Sequence, residues 1–427
     1  MGANGAVSNR VNEEMAEHRP ALESWLARCL GAQCSTVRVE RLWRLSAGHS
    51  NETFAVDMSW SDPTGPRRQV LVLRTRPEGE GLLEPYDVLK QYRVMKALAD
   101  SDVPVPKMYW AEETGSVIGR PFFLMEKLDG VIVEFDIPGY LVGAPPEKIR
   151  RMCTRYAEVV AAIHRVDWKA RGLSFLDRGG NPVERELAWW EAEMRRAQPG
   201  PLPAFEVLDQ WLREHMPLAT PAATLVHGDP KPGNIFYDDE QLVGVFDWEM
   251  TTVGDPMTDV GWVAALWGGG VGGLSSLPGA LTLEEFLAIY QARSGVEIHD
   301  LLFYEVLAWF KLVVIHLLAS TLFQNGKSSD LRFAWLGQLI PQLMREVLPR
   351  IGACADLPVG NVIPSWDRIS TGVRDIITRV IVPETVSLLA RTQTLAIAAI
   401  LDSVAAGAIP NSPSAESQAT NPKTSMN

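Results

Sequence analysis

Between residues 37 and 75 the chain passes through three short runs of strand-like composition, VRVERLWRL, ETFAVDMSW and RRQVLVLRT. The last two flank SDPTGP, whose prolines and glycine mark a hairpin turn. A helix over about 85–100 comes next, then two extended stretches, VPVPKMYWAEE and GRPFFLMEKLDG. Beyond them apolar residues recur at helical spacing over 146–166, 183–198, 204–215, 256–267, 283–293, 300–323 and 331–349. Strands gathered first and helices after predict an α+β chain with a small β-rich lobe followed by a larger helical lobe.

A helix over 11–30, with Leu22, Trp25, Leu26 and Leu30 at helical spacing, leads into the strands. After Leu357 come two amphipathic segments, 366–381 and 384–405, separated near Pro383. The last twenty residues are rich in Ser, Asn and Pro and read as disordered. The expected division is an N-terminal lobe over 1–128, a helical lobe over 129–356 and a helical extension with its tail over 357–427. The extension carries no readable chemistry; it is expected to cover the helical lobe, with self-association through 357–405 as the other role.

Composition sets limits on function. A net charge of −12 opposes a polyanion-binding surface, so no nucleic-acid partner is expected. The four cysteines form no CxxC pair, which argues against a zinc site and for a reducing compartment. The first twenty residues lack a basic start and an apolar core, so no secretory signal is expected and the chain is read as cytoplasmic. Residues 260–283 are uncharged but hold seven glycines, which reads as a buried helix running into a loop rather than a membrane span. Two phosphate-binding look-alikes fail. GGGVGG at 268–273 follows a helix where a dinucleotide site needs a strand, and NGKS at 325–328 has Thr321 where its opening glycine belongs.

One constellation survives. The loop LVHGDPKPGNIF holds Asp229 and, five residues on, Asn234; eighteen residues after Asp229 stands Asp247 in LVGVFDWEM. Phosphoryl transfer needs this inventory. One carboxylate, Asp229, orients the attacking hydroxyl and can take its proton. A carboxylate and an amide oxygen, Asp247 and Asn234, suit magnesium, which prefers hard oxygen ligands and neutralises charge on the moving phosphoryl. Lys231 can reach the γ-phosphate. A strand ending at Asp247 would set it opposite the loop. The bland alternatives are that His227 only pins the loop, that Asp255 and Asp259 cap or brace, and that Lys231 is a solvated surface lysine.

HGDPKPGN resembles the catalytic loop of the protein-kinase-like fold, and FDWE sits where the second metal-binding aspartate of that fold belongs. The glycine after His227 and the Trp-Glu after Asp247 resemble the aminoglycoside phosphotransferase and choline kinase branch. FDWEMTTVGDPMTDVGW is similar to a subgroup found fused to acyl-CoA dehydrogenases in animals and free-standing in bacteria. The resemblance implies a two-lobed kinase-like fold and the use of ATP and Mg2+. It implies that LSAGHSNETFAV, with Gly48, Ser50 and Asn51, covers the phosphates. It makes Arg74 in VLVLRTRPEG the contact to the α- and β-phosphates. It places adenine against the backbone near Glu126 to Leu128 in IGRPFFLMEKLDG.

The sequence departs from that pattern at Gln91, where the family has a glutamate to pair with the strand's basic residue. Gln91 can accept a hydrogen bond from Arg74 but not form a salt bridge, so a catalytically weakened nucleotide-binding or scaffold relative stays open beside an active small-molecule phosphotransferase. Neither an APE-like motif nor a long polar activation segment follows FDWE, which disfavours protein phosphorylation. The acceptor pocket is expected among the helices after Asp247. Residues 257–355 hold eight acidic and six basic side chains with no acidic cluster, and offer Trp262, Trp267, Trp309, Phe310 and Trp335. That favours an acyl-type or other small hydroxylated metabolite over a polycationic aminoglycoside.

Overall fold

The computed structural model describes residues 15–45, 51–77, 79, 81–134, 137–197, 200–217, 222–267, 273–382, 394 and 397–398. Two compact units divide the chain: residues 1–318 with 340–361, and residues 319–339 with 362–427.

The larger unit opens with helix α1 (Arg19–Leu30), preceded by a 3-10 turn from Ala16 to His18. A five-stranded antiparallel sheet follows, built from β1 (Ser35–Arg44), β2 (Glu52–Asp62), β3 (Gly65–Thr75), β4 (Met108–Glu112) and β5 (Phe122–Glu126) in the order β1-β2-β3-β5-β4. The hairpin falls where the proline signal put it, with Asp62 opposite Gly65 and the Asp62 carboxylate accepting from Thr64 N at 2.7 Å. Both faces of the central strands are buried. On one, Leu22, Trp25 and Leu26 of α1 pack onto Leu42, Phe54, Leu71 and Leu124, with the rings of Trp25 and Phe122 4.9 Å apart edge to face. Each such side chain contributes ~1.5–3 kcal/mol when fully buried. On the other, helix α2 (Val88–Leu98) sets Tyr92 5.9 Å from Phe123, and Asp87 caps its first turn by accepting from Lys90 N at 2.9 Å.

The helical part begins with α3 (Pro146–His164), α4 (Pro182–Ala197) and α5 (Pro203–Glu214). Then come two short two-stranded ladders. β6 (Thr224–Val226) pairs with β9 (Thr252–Gly254), and β7 (Ile235–Asp238) pairs with β8 (Gln241–Val245). The sequence predicts only one strand here, ending at Asp247. Instead β8 ends at Val245, and Asp247 stands beyond it with φ 64°, a left-handed conformation costly for a side-chain-bearing residue. Helices α6 (Met257–Trp267), α7 (Leu283–Ser294), α8 (Leu301–Gln324) and α9 (Leu331–Val347) complete the order. By length and composition α8 could cross a bilayer, yet 83% of its most apolar window is buried, as in a core helix.

In the smaller unit, helix α10 (Trp366–Ile376) continues into a π turn over Ile377–Ile381, so the predicted 366–381 segment is helical. Arg368 donates to Phe323 O at 2.8 Å, and Gly372 lies against Phe323 and Leu331. Nearly all of the second predicted segment, 384–405, lies outside the described residues.

Candidate active site

The loop from His227 to Asn234 follows β6 and is pinned at each step. His227 is fully buried; its Nε2–H donates to Phe246 O at 2.9 Å, and its Nδ1 accepts from Asp229 N at 3.3 Å. Gly228 has φ +89°, and a Cβ there would come within 2.6 Å of Met250 O, so only glycine fits between the two motifs. Asp259, at the start of α6, accepts from His227 N and Gly228 N, each at 2.8 Å, and from His164 Nε2 at 3.1 Å. The Tyr290 hydroxyl, 2.7 Å from His164 Nδ1, completes that network. Burial pushes the Asp259 carboxyl up, but the His164 hydrogen bond and the charges and amide at His227 outweigh it and hold the group below its ordinary value. Asp255 accepts from Met257 N at 2.9 Å and from the Tyr304 hydroxyl at 2.8 Å. Asp259 therefore braces the loop, and Asp255 caps the start of α6. The Tyr156 hydroxyl of α3 donates to Pro230 O.

On this frame the predicted residues converge. Asn234 Nδ2 donates to Asp229 O at 2.8 Å and Oδ2 at 3.0 Å, which fixes the amide plane and turns its oxygen away as a free acceptor. Lys231 Nζ lies 3.5 Å from Asp229 Oδ2 and 3.9 Å from Glu134 Oε1. Asp229 Oδ1 is buried with no partner. Burial raises the Asp229 carboxyl above its ordinary value, and the Lys231 charge opposes that rise. Lys231 in turn is raised, chiefly by the Asp229 charge. Asn234 O accepts from Phe246 N at 2.9 Å, so the loop is stapled to the residue before Asp247. Asp247 Oδ1 accepts from Arg74 Nη2 of β3 at 2.5 Å.

Arg74 is tied to Asp247 rather than to Gln91, whose Oε1 is buried without a partner. The reason is geometric: the left-handed turn at Asp247 aims its carboxylate at the β3 guanidinium. At the expected adenine edge, Glu126 N already donates to Lys107 O at 2.8 Å, and the Leu128 side chain covers Gly244, where a Cβ would come within 2.7 Å of it. Gly48 and Ser50 lie outside the described residues. Asn51 is buried and donates to Glu249 Oε2 at 2.7 Å, tying the end of that hairpin to the turn after Asp247.

Beside the loop opens a cavity of about 280 Å³, walled by Pro85, Lys90, Trp189, Gly228, Met250 and Lys311 among others. Its walls come mainly from residues 83–91, from α4 and from the segment 249–254 rather than from the helices after Asp247. Trp262, Trp309 and Phe310 are core residues instead. Lys311 was missed from sequence. It is 1% exposed, donates to Glu186 Oε1 at 2.6 Å, and stands 3.3 Å from Gly228 O and 4.9 Å from the Trp262 ring centroid. Its one signal was a lone lysine in a long apolar run. Glu134 and Glu186 gave no signal, because only the fold brings them to Lys231 and Lys311 beside the loop.

ATP and Mg2+ can be tested against these groups. Among the described residues there is no cluster of three or more His, Cys, Asp or Glu that could cage a metal. One carboxylate and one free amide oxygen instead suit magnesium carried in with substrate phosphates, which supply its other ligands. The buried, unpartnered Arg74 Nε offers a donor to a phosphate.

The signature described as the phosphotransferase enzyme family, APH, matches residues 41–301. Acyl-CoA dehydrogenase family member 10 of Mus musculus is 33% identical over 71% of this chain, and member 11 of Gallus gallus 29% over 73%. The chain spans only 28% and 41% of the lengths of those two relatives. The crystal structure of a candidate aminoglycoside phosphotransferase from Ralstonia eutropha superposes with a TM-score of 0.64 at 27% identity, covering 78% of this chain and 98% of that one. The fold is thus the kinase-like fold of the aminoglycoside phosphotransferases, and with the signature spanning well over half its length the chain belongs to the APH phosphotransferase family.

Proposed function

We propose that this protein is an ATP- and Mg2+-dependent phosphotransferase that moves the γ-phosphate to a hydroxyl of a small-molecule acceptor. The observation that carries this is Asp229: a partly buried carboxylate with one unpartnered oxygen, its other oxygen held by Asn234, beside a lysine and within electrostatic reach of Asp247. The Asp229 carboxylate orients the acceptor hydroxyl and receives its proton as the oxygen attacks. The raised carboxyl makes it a stronger base than an ordinary aspartate. Lys231 stands by to meet charge on the phosphoryl oxygens. Asn234 and Asp247 would hold magnesium, whose charge stabilises the transferring group. Arg74 would exchange part of its contact with Asp247 for the nucleotide phosphates. Asn51 would help close the hairpin over them, with Gly48 and Ser50. Glu126 to Leu128 would flank adenine.

The cavity beside Gly228 suits the acceptor. The carboxylates on its wall are already engaged: Glu84 by backbone amides, Asp87 by Lys90 N, Glu186 by Lys311 and Glu249 by Asn51. Lys90, Arg178, Arg185 and Lys311 on the same wall match those four carboxylates in charge, so the amines of an aminoglycoside would meet no net negative lining, while Trp189, Pro85 and Met250 offer apolar surface. An acyl-type or other hydroxylated metabolite fits this lining better.

Thermal unfolding with and without Mg·ATP tests the site. A ligand that binds only the folded state raises the midpoint; the wild type should show a magnesium-dependent rise that Asp247→Asn weakens. No rise at millimolar nucleotide would refute the nucleotide site. The unpartnered Gln91 Oε1 favours a second reading, a weakened nucleotide-binding relative. Under it, Mg·ATP binds but no hydroxylated acceptor is labelled, and Gln91→Glu raises the rate.

A further inference from the structure

Helix α2 reaches the metal turn through a residue that the catalytic motifs do not include. Lys90 Nζ donates to Glu249 O and lies 3.4 Å from Thr251 O. Those carbonyls belong to the segment immediately after Asp247. Asp247 itself sits outside β8 in a left-handed conformation, so no strand ladder holds it. From one side the segment is anchored by Thr251 Oγ1, which donates to Val226 O of β6 at 2.7 Å. Asn51 holds the Glu249 side chain at 2.7 Å, and Lys90 holds the backbone of the segment from α2. Its neighbour Gln91, where a carboxylate would have linked α2 to the β3 arginine, leaves its Oε1 buried and unpartnered. Arg74 has turned to Asp247.

We propose that Lys90 is a positioning residue for the magnesium-binding turn, linking α2 to the backbone of residues 249–251 in place of the link Gln91 does not make. The proposal rests on the phosphotransferase reading. An ammonium has three donors on a flexible stem, so it can serve two carbonyls at once. By fixing those carbonyls it fixes the exit of the turn and hence where the Asp247 carboxylate points. Lys90 also lines the cavity, so the same side chain faces both the acceptor space and the metal turn.

The test is ATP binding followed calorimetrically at a series of MgCl2 concentrations, and without magnesium, in wild type, Lys90→Met, Lys90→Gln and Lys90→Arg. In Lys90→Met the magnesium needed for half-maximal binding should rise about tenfold or more, the order of one lost hydrogen bond from a charged donor. Metal-free ATP binding should change less than about twofold, since Arg74 and the hairpin are untouched. Lys90→Arg, which can still reach both carbonyls, should restore most of the magnesium dependence. If Lys90→Met does not fold, Lys90→Gln carries the same expectation. Wild-type magnesium dependence in the neutral variants overturns the proposal, as does an equal loss of metal-free and magnesium-assisted binding, which marks a purely structural lysine. Absence of magnesium-dependent binding in the wild type would instead sink the phosphotransferase reading, and this inference with it.

Discussion

Asp259→Asn should be among the most damaging single-atom changes available to this protein. The carboxylate is wholly buried and accepts three hydrogen bonds, from His227 N, Gly228 N and His164 Nε2. An asparagine keeps one oxygen. Placed at Oδ2 it retains His227 N and His164, but its NH2 then faces Gly228 N–H, donor against donor. One hydrogen bond to a charged acceptor is lost, ~1.5–3 kcal/mol, and a buried donor is left unpaired, ~1–3 kcal/mol more. The expected loss is thus ~3–5 kcal/mol, in line with breaking other buried charged networks. Urea unfolding at pH 7 measures it. The pH dependence adds a sign check. The folded carboxyl is held below its ordinary value, so its stabilisation is present above the ordinary aspartate range and fades as pH falls through the depressed folded value. The gap between wild type and variant should therefore narrow in acid. Turnover should fall by ~100-fold or more even where the variant is folded, because the loop carrying Asp229 shifts. A variant within ~1 kcal/mol of wild type, or a gap that widens in acid, would refute the assignment of Asp259 as the brace.

Asp229→Asn should lose turnover by ~100-fold or more while its unfolding midpoint holds or rises. The raised folded carboxyl means that ionised Asp229 costs stability at neutral pH, and a neutral isostere removes that cost. A large drop in midpoint would recast Asp229 as structural. Lys231→Met should move the acid limb of the rate profile to higher pH, since Lys231 opposes the rise that burial imposes on Asp229; an unmoved or lowered limb would break the link between them.

Much of this was legible in the chain order. The hairpin at Asp62–Gly65 and the helices from α2 to α9 follow from turn residues and apolar period, which act within a few residues of each other. Of the short ladders β6–β9 and β7–β8, only β8 was legible, and neither pairing was. Three to five residues carry too little pattern, and each strand is specified by a partner that the loop brings to it.

The spacing of Asp229, Asn234 and Asp247 determined by itself which chemistry to look for, because phosphoryl transfer demands those residue types. What Arg74 bonds to, which aspartate braces the loop, and where the cavity beside Gly228 lies were decided only in three dimensions. Lys311 and Glu186 are 125 residues apart and Asn51 and Glu249 198 apart. A buried charge is stable only beside its partner, and no local pattern records which distant residue the fold will deliver.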